Sequence, residues 1–130
     1  MSLSYPEAVH AVAWLIAPGR AVSYGDIAEL LGAGGPRQVG AAMAGSGAAS
    51  GVPWWRVVRA DGSLPEPLSG EARLRWDDEG TPVRGGRIRL ALARWQPSDD
   101  DFRTLDDLAA QLGGGPHAAP DPKRRGGVLG

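Results

Sequence analysis

The chain has no cysteine among its 130 residues. That absence removes disulfides, thiolate metal sites and any cysteine nucleophile at once. Histidine is nearly as scarce. His10 and His117 lie far apart with no carboxylate or second histidine at ligand spacing, so no metal is expected, and His10 reads as a structural residue on a helix. Lysine is reduced to Lys123, which leaves arginine, the better bidentate partner for phosphates and bases, to carry nearly all the positive charge. No run approaches the roughly 18 apolar residues of a membrane span, and no charged-then-apolar leader opens the sequence. Neither a membrane partner nor secretion is expected, and a cytoplasmic location is.

With 42% hydrophobic and 22% charged residues, the composition is that of one small soluble domain with an appendage. A net charge of -1, taken whole, speaks against a nucleic-acid binder. Its distribution speaks otherwise: +1 over residues 1–60, 0 over 61–96, -5 over 97–122 and +3 over 123–130. An acidic tail conceals a neutral-to-basic body. We therefore expect a domain over 1–96 and an acidic, partly disordered extension over 97–130, ending in Gly, Pro and Ala around the solvated triplet Lys123-Arg124-Arg125.

Pro6 suits a first helical turn, and Val9, Val12, Ala13 and Ile16 follow as one apolar stripe, widened by Trp14 and Leu15. Ser23-Tyr24-Gly25-Asp26 is a capping-box pattern that starts a second helix with Ile27, Leu30 and Leu31 on its buried face. A glycine turn from Gly32 to Gly35 ends it, and Pro36 opens a third helix to about Ala44, with Val39, Ala42 and Met43 inward. Two short helices joined by a tight turn make a helix-turn-helix candidate. The outer face of the third helix carries only Gly40, Ala41 and Ala44 beside Arg37. Such a stripped helix fits either a DNA minor groove, about 6 Å wide, or close packing against its own domain.

Val52-Pro53-Trp54-Trp55-Arg56-Val57-Val58 is the densest run of unusual residues. Neighbours on a strand point to opposite faces, so two adjacent indoles do not easily serve one core. Asp61-Gly62 predicts a hairpin turn, so Arg56–Leu64 reads as a strand, a turn and the start of a second strand or irregular wing, with regular pairing then prevented by Pro65 and Pro67. A short helix anchored by Trp76 is expected over Ser69–Glu79. A hairpin follows, Thr81–Arg84 and Arg87–Leu92 about Gly85-Gly86, with Ile88, Leu90 and Leu92 on one face. Beyond Trp95, a helix capped at Thr104 carries a stripe of Leu105, Leu108, Ala109 and Leu112 that docks on the domain or on a partner. The fold class is mainly α with a small β wing, a winged helix-turn-helix.

Three linked segments, Val22-Ser23-Tyr24-Gly25-Asp26-Ile27-Ala28, Arg37-Gln38-Val39-Gly40-Ala41-Ala42-Met43 and Pro53-Trp54-Trp55-Arg56-Val57-Val58 with Asp61-Gly62, resemble the DNA-binding domain of O6-alkylguanine-DNA alkyltransferases. Their cysteine-free relatives, the alkyltransferase-like proteins, are more similar still. The resemblance runs from about Pro6 to Trp95. In the transferases the last segment reads Pro-Cys-His-Arg; here Trp54 stands at the cysteine position and Trp55 at the histidine position. An indole N–H only donates, so neither nucleophile nor base remains and the chain is not expected to be an enzyme.

The resemblance implies a non-enzymatic sensor, monomeric and without cofactor, that binds O6-alkylguanine in double-stranded DNA through the minor groove. It would flip the base and mark the site for nucleotide excision repair proteins. Implied DNA contacts are Tyr24, Arg37, Gln38, Gly40 and Ala41, with Tyr24 on the phosphate 3′ to the lesion and Arg37 filling the space left by the flipped nucleotide. The implied lesion pocket is Trp54, Pro53, Tyr24, Trp55 and Arg56, although Trp55 is equally placed to be structural. Ser46 replaces a family asparagine, and Leu64-Pro65-Glu66-Pro67-Leu68-Ser69 replaces the family's Gly-Gly-Tyr-type pocket loop. The rival reading is a winged-helix regulator or protein-docking module, which would need base-reading side chains on the third helix.

Overall fold

The computed structural model describes residues 2–45 and 51–112; Ser46, His117 and the basic triplet lie outside the described residues. Helix α1, Tyr5–Leu15, begins at Ser4, whose hydroxyl accepts from the Glu7 N–H while the Glu7 carboxylate accepts from the Ser4 N–H. Strand β1, Val22–Ser23, runs directly into α2, Tyr24–Leu31, through the expected Ser23–Asp26 capping box. Gly32 ends α2 in the left-handed region, and α3, Pro36–Ala44, follows. Tyr5 secures this turn by donating its hydroxyl to the Ala33 carbonyl. His10 is structural, as expected: its Nε2 lies 2.9 Å from the Ala42 carbonyl, tying α1 to the end of α3.

The central motif takes an unexpected form. Trp54–Arg56 is a single 3₁₀ turn, and strand β2 is only Val57–Val58. Its partner is β1, in parallel, with Val22 opposite Val57 and Ser23 opposite Val58. Of the two continuations expected for Arg56–Leu64, the second strand does not form and the irregular one does, and the first strand begins at Val57 rather than Arg56. The Asp61-Gly62 turn forms, closed from Arg59 to Ser63, but it leads out of the sheet. Gly62 is required there: its φ is +84°, and a Cβ would lie 2.1 Å from the Ile88 carbonyl oxygen.

Helix α4 spans Glu66–Glu79, longer than expected because Pro67 sits in its first turn, where a missing N–H costs nothing. Trp76 anchors it, fully buried. The wing is shorter than expected: β3, Val83–Arg84, and β4, Arg87–Ile88, pair across Gly85-Gly86, both at positive φ. Leu90–Ala93 then forms a helical turn, α5, so Leu92 leaves the Ile88–Leu90 face and is exposed. Helix α6, Asp99–Gln111, is capped by Ser98 with Asp101, six residues before the predicted Thr104.

Two apolar clusters fill the interior, and the sheet divides them. Val22 and Val57 join α1, α2 and α3 on one side; Ala21 and Val58 join Ala72, Trp76, Ile88 and Leu90 on the other. Leu105 and Leu108 of α6 and Leu112 just after it belong to the first cluster, so the packed body runs past the boundary expected at residue 96. Trp14 does not belong to it. Rotated about 100° from Ala13 on the helix, it is 58% exposed, contrary to the expectation that it widens the buried face. Among the described residues no helix is long and apolar enough to cross a membrane.

Because α6 packs into the same cluster as the helix-turn-helix, Leu105→Ala should cost about 2–5 kcal/mol. Urea unfolding should still show one transition, at a lower midpoint.

Candidate nucleic-acid interface

The outward face of α3 is made by Arg37, Gln38, Ala41 and Ala44, all exposed, while Val39, Ala42 and Met43 are buried. Gly40 has a different reason to be small. A Cβ there would stand 3.4 Å from the Tyr24 ring, so this glycine lets α2 and α3 close on each other. The stripped helix thus divides: Gly40 serves packing, and Ala41 and Ala44 leave a smooth outer surface. Gln38 is partly committed, since its Oε1 accepts the Gly35 N–H at 2.8 Å and caps α3. Little base-reading capacity is left on this helix, which weakens the regulator reading.

Beside α3 opens a cavity of about 210 Å³. Tyr24, Gly40, Met43 and Ala44 form one wall, Trp54 and Val57 another; Leu64, Pro65 and Leu68 form the third, with Glu71 the one carboxylate. It is smaller than the roughly 300–1,000 Å³ of pockets for drug-sized ligands, a size suited to one ring system. Of the residues that the resemblance implies for a lesion pocket, Tyr24 and Trp54 line this cavity. Pro53, Trp55 and Arg56 are not among the lining residues. Leu64, Pro65 and Leu68 belong to the segment singled out as replacing the family's pocket loop, whereas Met43, Val57 and Glu71 were missed. Met43 and Val57 carry core-type patterns in sequence and give no separate signal.

Burial pushes the Tyr24 phenol above its ordinary pKa, with the Arg59 charge acting in the opposite direction. At neutral pH it is a hydrogen-bond donor.

Trp55 and Arg56 do other work. The Trp55 ring meets Trp54 edge-on at 5.7 Å between centroids, and the Arg75 guanidinium lies over it at 4.6 Å. Its indole N–H donates to Glu79 at 2.9 Å. Arg56 grips the same carboxylate through Nε at 3.0 Å and Nη2 at 2.5 Å, and sends Nη1 to the Ile16 carbonyl at 2.9 Å. The Gly19 N–H adds a further bond to Glu79. Burial raises the Glu79 pKa, but the bonds from Arg56, Gly19 and Trp55 and the Arg56 charge outweigh it, so its carboxyl lies below the usual range. Among the described residues no group of His, Cys, Asp or Glu is placed to hold a metal ion.

The family model described as 6-O-methylguanine DNA methyltransferase, DNA binding domain, matches residues 4–78. The chain is 38% identical over 98 residues to the DNA base-flipping protein of Escherichia coli K12, covering 71% of this chain and 74% of that protein. It is 33% identical over 95 residues to the DNA base-flipping protein of Vibrio parahaemolyticus, covering 68% and 93%. Among solved structures, it is similar to S. pombe Atl1 in complex with damaged DNA containing O6-carboxymethylguanine. That match has a TM-score of 0.63 at 25% identity and covers 71% of this chain and 94% of that one.

The Glu79 cluster generates a stability prediction. A carboxyl whose folded pKa is depressed contributes stability that is present above its unfolded value and is lost as pH falls through the folded value. Glu79→Ala leaves Arg56 without its partner and should cost about 3 kcal/mol at neutral pH. Chemical unfolding across the acid range should show that Glu79→Gln loses part of the wild-type slope there.

Proposed function

Since this chain belongs to the family of 6-O-methylguanine DNA methyltransferase DNA-binding domains, we propose that it recognises O6-alkylguanine in duplex DNA by base flipping and performs no chemistry on it. The observation that carries this reading is the cavity beside the smooth face of α3, walled by Tyr24 and Trp54 and set in a chain without a thiol. Alkyl transfer needs a nucleophile to accept the alkyl carbon. Trp54, at the position where the family's transferases carry cysteine, supplies a flat apolar wall instead.

In this reading α3 lies along the minor groove, where Ala41 and Ala44 leave room for close approach. Arg37, exposed in the first turn of α3, enters the base stack and occupies the gap, which limits an unstacking cost of about a few kcal/mol. The extruded base stacks on Trp54, an interaction of about 1–3 kcal/mol. Its alkyl group meets the apolar wall of Leu64, Pro65 and Leu68. The protein's output is a stable, distorted complex that marks the lesion for nucleotide excision repair.

A duplex carrying one O6-methylguanine should bind at least about tenfold more tightly than the unmodified duplex, with quenching of tryptophan fluorescence as the base stacks. The mass of the recovered protein should be unchanged. Equal affinity for both duplexes would sink the reading. Trp54→Ala and Arg37→Ala should each reduce lesion preference more than they reduce binding to unmodified DNA.

A further inference from the structure

Ser23 of β1 stands opposite Val58 of β2 in a parallel register, so the next residues, Tyr24 and Arg59, leave the same end of the sheet as neighbours. Tyr24 opens α2 and walls the cavity. Arg59 opens a tight turn: its N–H donates to the Ser63 carbonyl at 3.0 Å, and its carbonyl accepts the Gly62 N–H at 2.8 Å. These bonds hold its backbone while its side chain stays exposed. Among the described residues, the one hydrogen bond of that guanidinium is a long contact of 3.5 Å to Ser63 Oγ. Arg56, Arg75 and Arg94, by contrast, are each paired with a carboxylate. The charge of Arg59 is nonetheless felt at the Tyr24 phenol.

We infer that Arg59 is a binding residue of the damaged-DNA site, which together with Tyr24 clasps the backbone phosphate of the extruded nucleotide at the mouth of the cavity. The inference rests on the base-flipping reading. Swinging a base into this cavity brings its own phosphate to the rim, where the walls are largely apolar and Tyr24 offers a neutral donor. A phenol alone leaves the phosphate charge uncompensated, whereas a planar guanidinium supplies both charge and paired N–H donors. The nearest competitor is Asp61. Its carboxylate already accepts the Ser63 N–H at 2.9 Å and the Ser63 hydroxyl at 2.6 Å, and lies 3.8 Å from Arg87. Arg59 is therefore held in place, charged and available.

The test is a titration series with duplexes carrying O6-methylguanine, in which single phosphates flanking the lesion are replaced by neutral methylphosphonates. Arg59→Ala should weaken the lesion duplex by about tenfold and the unmodified duplex by much less. The slope of log affinity against log salt for the lesion duplex should fall by about one. One methylphosphonate beside the lesion should cost the wild type a similar factor and cost Arg59→Ala clearly less, the remainder being the Tyr24 contact, because the two changes share the Arg59–phosphate interaction. Asp61→Asn keeps the acceptor that closes the turn, removes the competing charge and should tighten lesion binding. Equal losses on both duplexes, or losses that add with every methylphosphonate, would overturn the assignment. Thermal midpoints of the variants verify folding. If the wild type prefers the lesion and Arg59→Ala matches it, this inference alone fails; if the wild type shows no preference, the base-flipping reading fails and takes this inference with it.

Discussion

The carboxylate of Glu79 holds together the part of the molecule on which the cavity depends. It stands at the last turn of α4 and collects the Trp55 indole, two nitrogens of Arg56 and the Gly19 amide. Arg56 continues the chain of bonds to the Ile16 carbonyl at the end of α1. From the other side, the Trp76 indole donates to the Trp55 carbonyl at 2.7 Å. Two segments far from it in sequence, the end of α1 and the end of α4, are thus fixed to one short 3₁₀ turn. The approach is close enough to require glycine at 19, where φ is +83° and a Cβ would lie 2.9 Å from the Glu79 carbonyl oxygen. A carboxylate so nearly buried is favourable only because its oxygens are met by charged and neutral donors together. Removing any one donor leaves the others sharing an imperfectly compensated charge.

That anchoring determines what Trp54 can do. A 3₁₀ turn advances about three residues per revolution, so Trp54 and Trp55 diverge by roughly a third of a turn. Trp55 is held toward α4, between Glu79 and the Arg75 guanidinium. Trp54 is left on the side facing α3, in contact with both apolar clusters and with the cavity. The edge-on contact between the rings couples the two: the indole that is tied down supports the indole that is offered.

How much of this was legible in the sequence follows from the range of the forces involved. Local chemistry read correctly: the Ser23–Asp26 capping box, the Gly32 stop, the Pro36 start and the burial of Trp76 are each decided within a few residues. The second-strand option for Arg56–Leu64 failed because Val57–Val58 pairs with β1, more than thirty residues upstream, and nothing in its own neighbourhood encodes that partner. Trp14 was read inward on hydrophobicity alone, although its angle on α1 already carried it off the stripe. In the site, Tyr24 and Trp54 were legible only because three motifs stood at the family's spacing. Arg56 was assigned to the pocket by the same resemblance, as a residue that orders its wall; the partner through which it does so, Glu79, is one that local patterning had no reason to single out.

The parallel register of two-residue strands is the other element that makes a site out of these parts. Two residues per strand give little stability of their own; their use is geometric. By setting Ser23 against Val58, the sheet brings the start of α2 and the start of the 59–63 turn to one edge. By alternating Val57 and Val58 between the two clusters, it fixes the rotation of the Trp54 turn that precedes it. A one-residue slip would reverse both valines and carry Trp54 away from α3. The long-range contacts, with Glu79 on one side of the turn and β1 on the other, therefore specify a single orientation of an aromatic wall. Such preorganisation is what a protein that binds an extruded base without reacting with it has to supply, since no later covalent step compensates for a poorly held ligand.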